Sequence, residues 1–287
     1  MFPRRKVAVN VNVNLKANGG PTRMAAISRR NMLGQAGLLG ATLAGVGVPA
    51  IAADATSPSK ESPPINRKLK IVVAGGHPGD PEYGCGGTVA RCADRGHDVV
   101  LLYLNRGDPA ETASRPASSV RVDEAGKACE ILRARPVFAG QVDGHSIVDE
   151  AHYDEFRNIL EAEQPDVVFT QWPIDNHRDH RATSMLTYDA WLKSGRKFAL
   201  YYYEVSNGED TMQFAPTHYV DITDVEPRKR AGCYAHSSQS PDRYFQLQDG
   251  VAAFRGIESG HKRAEAFILL TQSPFDPLAA LTARSRK

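Results

Sequence analysis

The sequence predicts an α/β domain with a Rossmann-like, mostly parallel sheet and helices on both of its faces. Three observations predict it. From Lys68 onward, short apolar runs alternate with helical stretches. The runs are near-continuous in hydrophobic residues, as in Val99-Val-Leu-Leu102, which is the pattern of a strand buried on both sides. No internal repeat and no second domain interrupts the alternation, so right-handed crossovers return each strand to one sheet.

The elements follow in order. Lys70–Gly75 is an apolar strand that ends abruptly at a glycine-rich turn, and Gly87–Arg95 reads as a helix closed by Gly96. His97–Leu104 is the second strand, Val120–Arg133 has apolar or small residues at helical spacing, and Pro136–Ala139 is a short strand. Tyr153–Glu163 is helical and stops before Pro165. Val167–Gln171 is a strand, and Ala182–Lys193 a helix closed by Ser194-Gly195. Later strands are expected at Phe198–Glu204 and His218–Asp221, then helices near Pro227–Ala235 and Gly250–Ile257, and a last apolar stretch at Ala264–Leu270.

Residues 1–52 read as a secretory signal rather than as part of the fold. Adjacent Arg29 and Arg30 precede a mildly apolar stretch from Gly34 to Val48, and Ala50-Ile51-Ala52 offers a small-x-small cleavage site. The apolar stretch is too short, and too rich in Gly and Ala, for a membrane span of roughly 20 residues. Met24-Ala-Ala-Ile-Ser-Arg-Arg30 would be a more ordinary signal start than Met1. Seven of the 35 Lys and Arg and none of the 33 Asp and Glu lie before Ala53, so the remainder holds 28 basic against 33 acidic residues. The formal charge of +2 thus becomes −5, which is no nucleic-acid footprint. Residues 53–67, with a Ser/Pro-rich core from Ser57 to Pro64, form a leader; 68–275 form the domain and 276–287 a tail. Cys85, Cys92, Cys129 and Cys233 lack C-x-x-C spacing and read as free buried thiols.

Two strand ends carry the chemistry. The first delivers His77 and Asp80, the second His177 and His180, and open α/β sheets bind ligands at such ends. Two histidines and a carboxylate with room for water form a catalytic zinc pattern. The turn Gly84-Cys-Gly-Gly87 lacks the G-x-G-x-x-G order of a dinucleotide site, so its glycines are read as close-packing positions. His97, just after Gly96, reads as a turn residue, and His145, His152, His218 and His261 have no partners in sequence.

Gly76-His-Pro-Gly-Asp-Pro-Glu-Tyr-Gly-Cys-Gly-Gly87, Arg106-Gly-Asp108, Arg121-x-x-Glu124 and Pro173-x-Asp-x-His-x-Asp-His180 together resemble the signature of the PIG-L (LmbE-like) deacetylases, from about Lys68 to Leu270. The resemblance implies a Rossmann-like fold and removal of an acetyl group from N-acetylglucosamine-type amides. It implies Zn2+ as cofactor, or another divalent metal such as Fe2+, and an N-acetylated sugar or glycoconjugate as partner. Carried over by position, His77, Asp80 and His180 would bind the metal; His177 would lie beside the scissile carbonyl with Asp179 orienting it. One position departs: the family commonly reads His-Pro-Asp-Asp, with the first Asp as general base, and here that residue is Gly79. A positioned base is worth about 10²–10⁴-fold. Asp108, then Glu82, then Asp175 are the substitutes the sequence offers. Arg106 and Asp108 are placed to meet sugar hydroxyls; Arg121 either reaches the pocket or pairs with Glu124; Trp172 either stacks on a sugar or is core. Three readings follow: a deacetylase, a weakly active carbohydrate-binding relative that keeps the metal, or a hydrolase of another exported amide or ester.

If Arg29 and Arg30 direct export, replacing both with lysine should leave the full-length protein in the cytoplasm, as read by fractionation and N-terminal sequencing near Ala52. Unchanged export would remove the twin-arginine reading.

Overall fold

Strand residues in this chain face two hydrophobic layers in turn, and that alternation builds the fold. In the computed structural model, residues 67–107, 120–206 and 208–282 are described; the expected signal segment, nearly all of the leader, and Asp108 lie outside them. Lys70–Gly75 (β1), Asp98–Asn105 (β2), Arg135–Gln141 (β3), Val167–Gln171 (β4), Ala199–Tyr203 (β5), His218–Asp221 (β6) and Ala264–Leu269 (β7) form one sheet ordered β3-β2-β1-β4-β5-β7-β6. β1 to β5 are parallel, and β7 is antiparallel to both β5 and β6. The helices are Asp80–Asp94 (α1), Val120–Leu132 (α2), Glu150–Glu163 (α3), Arg178–Lys193 (α4), Glu226–Tyr234 (α5), Pro241–Ser259 (α6) and Leu278–Thr282 (α7).

Ile71, Val73, Leu101, Phe169 and Tyr201 point to one face, where Val89, Cys129, Cys233, Phe245 and Leu278 of α1, α2, α5, α6 and α7 cover them. Their neighbours Val72, Ala74, Leu102, Val168 and Leu200 point to the other, under Phe156 and Leu160 of α3 and Leu186 and Trp191 of α4. All four cysteines are buried and unpaired. No helix among the described residues is long and apolar enough to cross a membrane.

The chain leaves β1 towards β2 and β3, then returns to place β4 on the other side of β1. That reversal opens a crevice at the C-terminal ends of β1 and β4.

Three boundaries differ most from the sequence expectation. α1 starts at Asp80 rather than Gly87, so the glycine cluster lies inside the helix. Tertiary packing overrides glycine's weak helix propensity there. A Cβ at Gly84 would sit 2.3 Å from the Tyr203 ring, and one at Gly87 would sit 2.5 Å from Ile222. Glu265 on β7 also meets α1: it accepts hydrogen bonds from the N–H groups of Gly87 (2.8 Å) and Thr88 (2.7 Å) and pairs with Lys229 Nζ at 2.6 Å. α6 is longer than Gly250–Ile257 and runs through Gly250. α7 falls in the stretch read as a tail, where Leu278 and Leu281 are buried.

Gly84→Ala tests the packing argument. Helix propensity alone favours alanine by about 1 kcal/mol. Overpacking against Tyr203 and the Glu204 carbonyl should reverse the sign and cost about 1–3 kcal/mol in chemical denaturation. A stabilised variant would refute it.

Candidate metal centre and active site

Gln171, the last residue of β4, ties the two strand ends together. Its Oε1 accepts a hydrogen bond from Gly76 N at 2.9 Å, and its Nε2 donates to Asp80 Oδ2 at 3.1 Å. A Cβ at Gly76 would lie 3.2 Å from the His180 ring, so the turn after β1 and the first turn of α4 touch.

Asp80 Oδ2 lies 3.1 Å from His77 Nδ1 and 3.2 Å from His180 Nε2. The far nitrogens are also met by carboxylates. His77 Nε2 is 3.0 Å from Asp143 and 3.1 Å from Asp179, and His180 Nδ1 is 3.1 Å from Asp175. His177, the N-cap of α4, stands edge-on to His77 with ring centroids 4.5 Å apart. His77, His177 and His180 each bring a nitrogen within 4.8 Å of the others, and His77, Asp143, His177 and Asp179 form an overlapping group at the same spacing. Imidazole and carboxylate donors in this density suit a divalent transition metal. Carboxylates on the far ring nitrogens are the usual support for metal-binding histidines.

Burial opposes charge on His77, but Asp80, Asp143 and Asp179 hold its imidazole well above the ordinary range. Burial likewise opposes, and Asp80 and Asp175 outweigh it, so His180 is raised to about 9. His177 is lowered, by burial and then by His77 and His180.

Several expected roles are corrected by the geometry. The Asp179 carboxylate does not orient His177: it meets His77 and accepts hydrogen bonds from Gly144 N (2.7 Å) and Ser146 N (3.3 Å). Only the Asp179 backbone serves His177, its N–H donating to Nδ1 at 3.3 Å. Asp175 is occupied by His180, His177 N and the Thr211 hydroxyl. Glu82 is fully buried and receives the Tyr103 hydroxyl (2.7 Å), His236 Nε2 (2.9 Å) and Gly79 N (3.1 Å). Neither carboxylate lines the site cavity, so neither is placed to take a proton there. Trp172 is half-buried, packs edge-on against Tyr202 and Phe214 at the margin of the core, and does not line the cavity. Arg106 does not line the cavity, and Asp108 lies outside the described residues.

Arg121 does reach the cavity, donating to Pro78 O at 2.8 Å, while Glu124 instead serves Ser237 and Ser238. The cavity measures about 260 Å³, and its wall includes His77, Asp80, His177, His180 and Arg121. It also includes Asp143, Tyr83, Glu209, Asp210 and Tyr244, which the sequence did not single out. Gln171, as a polar strand end, carried a readable signal; Asp210, seven residues past β5, carried none.

Gly79 is built for glycine. Its φ is +113°, a conformation L side chains rarely adopt, although a Cβ would meet Tyr83 only at 3.5 Å. The obstacle to a side chain there is backbone strain, not space.

Residues 72–191 match the family model described as PIG-L: GlcNAc-PI de-N-acetylase. The chain is 26% identical over 226 residues to the diacetylchitobiose deacetylase of Thermococcus kodakarensis, a match covering 72% of this chain and 85% of the relative. Among solved structures, the conserved protein TT1542 from Thermus thermophilus is similar at a TM-score of 0.62 and 28% identity, over 73% of this chain and 98% of that one. The N,N'-diacetylchitobiose deacetylase from Pyrococcus horikoshii shares the fold at a TM-score of 0.61 and 23% identity, over 75% of this chain and 90% of that one. The family match thus spans residues 72–191, and the similarity to a diacetylchitobiose deacetylase extends over 226 residues.

Metal uptake should depend steeply on pH. His77 and His180 are raised, so below about 9 the metal-free His180 holds a proton that a metal must displace. Each displaced proton tightens binding about tenfold per pH unit, so affinity should rise about 10- to 100-fold from pH 6 to 7 in competition titrations. A pH-independent affinity would show that these imidazoles are not displaced.

Proposed function

We propose that this chain, on the strength of its PIG-L family domain, is an exported, metal-dependent hydrolase that removes the acetyl group from an N-acetylglucosamine-type sugar or glycoconjugate. Zinc is the proposed metal, held by His77, Asp80 and His180. One observation carries the reading: these three residues and His177 share the wall of one cavity at the point where the sheet order reverses. Bound there, the metal would polarise the acetyl carbonyl and lower the pKa of water towards ~7.

The remaining work falls to side chains of the chain itself. Asp143, Asp175 and Asp179 fix the orientation of the two ligand imidazoles through their far nitrogens. His177 is neutral at ordinary pH because burial and its two histidine neighbours lower it. Its Nδ1 accepts the Asp179 N–H, which assigns the proton to Nε2. An Nε2–H donor on the cavity wall suits the oxygen that gains negative charge as the amide is attacked. Arg121 and the Tyr83 hydroxyl, which has no hydrogen-bond partner among the described residues, offer donors for the hydroxyls of a small polar ligand. A cavity of about 260 Å³ lies at the small end of ligand sites, in keeping with one sugar ring.

Gly79 supports a second reading, in which a carbohydrate-binding relative keeps the metal but hydrolyses slowly. The positive φ at this residue means that the family's carboxylate is not merely missing but excluded by the backbone.

Incubating the zinc-loaded protein with N-acetylglucosamine and diacetylchitobiose and assaying free amine separates the readings. Amine release should disappear, together with bound metal, in His77→Ala, Asp80→Ala and His180→Ala. His177→Ala should keep the metal and lose about 10²–10³-fold in rate. Sugar binding without amine release would favour the second reading, and loss of metal from His177→Ala would reassign the ligands.

A further inference from the structure

The missing carboxylate at position 79 raises the question of where the proton of the attacking water goes. The cavity wall holds Asp80, Asp143, Glu209 and Asp210. Three of them are engaged. Asp80 serves both ligand histidines, Asp143 lies 3.0 Å from His77 Nε2, and Glu209 pairs with Arg243 at 2.7 Å. Asp210 differs: among the described residues, no hydrogen bond or ion pair engages its carboxylate.

The position of Asp210 is nevertheless well fixed. Its N–H donates to Ser206 O at 2.9 Å, and its carbonyl accepts the N–H of Asn176 at 2.9 Å, directly before His177. The next residue, Thr211, forms a β-bridge with Asp175, and its hydroxyl donates to Asp175 Oδ2 at 3.0 Å. Asp175 in turn meets His180. The loop after β5 is thus fastened to the segment that carries both α4 histidines, and a free carboxylate is held on their cavity.

The geometry points to Asp210 as the general base of this enzyme, supplied from the β5 loop in place of the family's residue at position 79. The inference rests on the hydrolytic reading given above. In the step, a water O–H bond breaks and its proton passes to the Asp210 carboxylate. The water oxygen bonds to the amide carbon, and the carbonyl oxygen takes the electron pair beside His177 Nε2–H. The oxyanion's electron pair then re-forms the C=O bond as the C–N bond breaks, Asp210 returns the proton to the leaving nitrogen, and acetic acid and the free amine result, the acid then giving up its proton to solvent. Burial raises the Asp210 carboxyl above its usual range; His180 opposes and Asp175 and Asp80 add, a direction that suits a proton acceptor near neutral pH.

The test uses the zinc-loaded full chain and acetohydroxamic acid, which binds such a metal as its anion and needs an acceptor for the proton it sheds. Asp210→Asn should retain its metal and its melting profile, bind acetohydroxamate at least about tenfold more weakly, and lose about 10²–10⁴-fold in kcat for amine release. Asp210→Ala should behave alike, with added formate restoring part of the rate, which a merely structural residue would not allow. The hydroxamate titration needs no sugar. A wild type that binds it through Asp210 but releases no amine from acetylated sugars therefore loses the substrate reading and keeps the base. Acetohydroxamate affinity in Asp210→Asn within about twofold of wild type overturns the proposal. So does a wild type that fails to bind it, or a loss that appears in Asp108→Asn instead.

Discussion

One carboxylate oxygen gathers most of the site. Asp80 Oδ2 accepts the N–H of His77 at 2.8 Å and the Gln171 amide at 3.1 Å, and it meets His77 Nδ1 and His180 Nε2. Those groups come from the turn after β1, from the end of β4 and from α4. Asp80 is itself the first residue of α1, so a single atom sets the spacing of two strands and two helices. Burial opposes its charge, yet His180 and His77 hold its carboxyl well below the ordinary range. Removing it would leave two buried imidazoles facing each other with nothing between them, a costly arrangement.

The parallel strands were legible because burial on both faces demands long apolar runs, and β1 and β4 fall where those runs lie. The start of α1 was not, because Gly84, Gly86 and Gly87 look like a turn until Tyr203, Lys229 and Ile222 are found against them. Among the site residues, His77, Asp80, His177 and His180 were readable as polar endings to strands. The partner of Asp179 was misread for a reason the helix itself supplies: residues two apart on a helix face different sides. With His177 capping α4, Asp179 turns away from it towards His77 and the N–H groups of Gly144 and Ser146. Asp143 and Asp210 depend on the paths of loops after β3 and β5, which no local pattern specifies.

Beneath Gly79 lies a polar cluster that was not visible as a motif. Glu82 joins Tyr103 of β2 to His236, a histidine with no sequence neighbour to mark it, and caps Gly79 N as well. The first turn of α1 is thereby tied to β2 and to the segment after α5. A backbone with φ of +113° is tolerated because the residue is glycine and carries no Cβ. The same arrangement that excludes a side chain at this position keeps Asp80 and His77 in register.

The pairing of His77 and His180 with carboxylates on their far sides would have a consequence for how an ion enters. With His77 and His180 protonated in the metal-free site, a divalent cation replaces two protons, and the local charge is the same before and after. Exchange of that kind would leave little long-range field for salt to screen. Such a site would discriminate between ions by the chemistry of its donors, nitrogen over oxygen, and not by attraction at a distance.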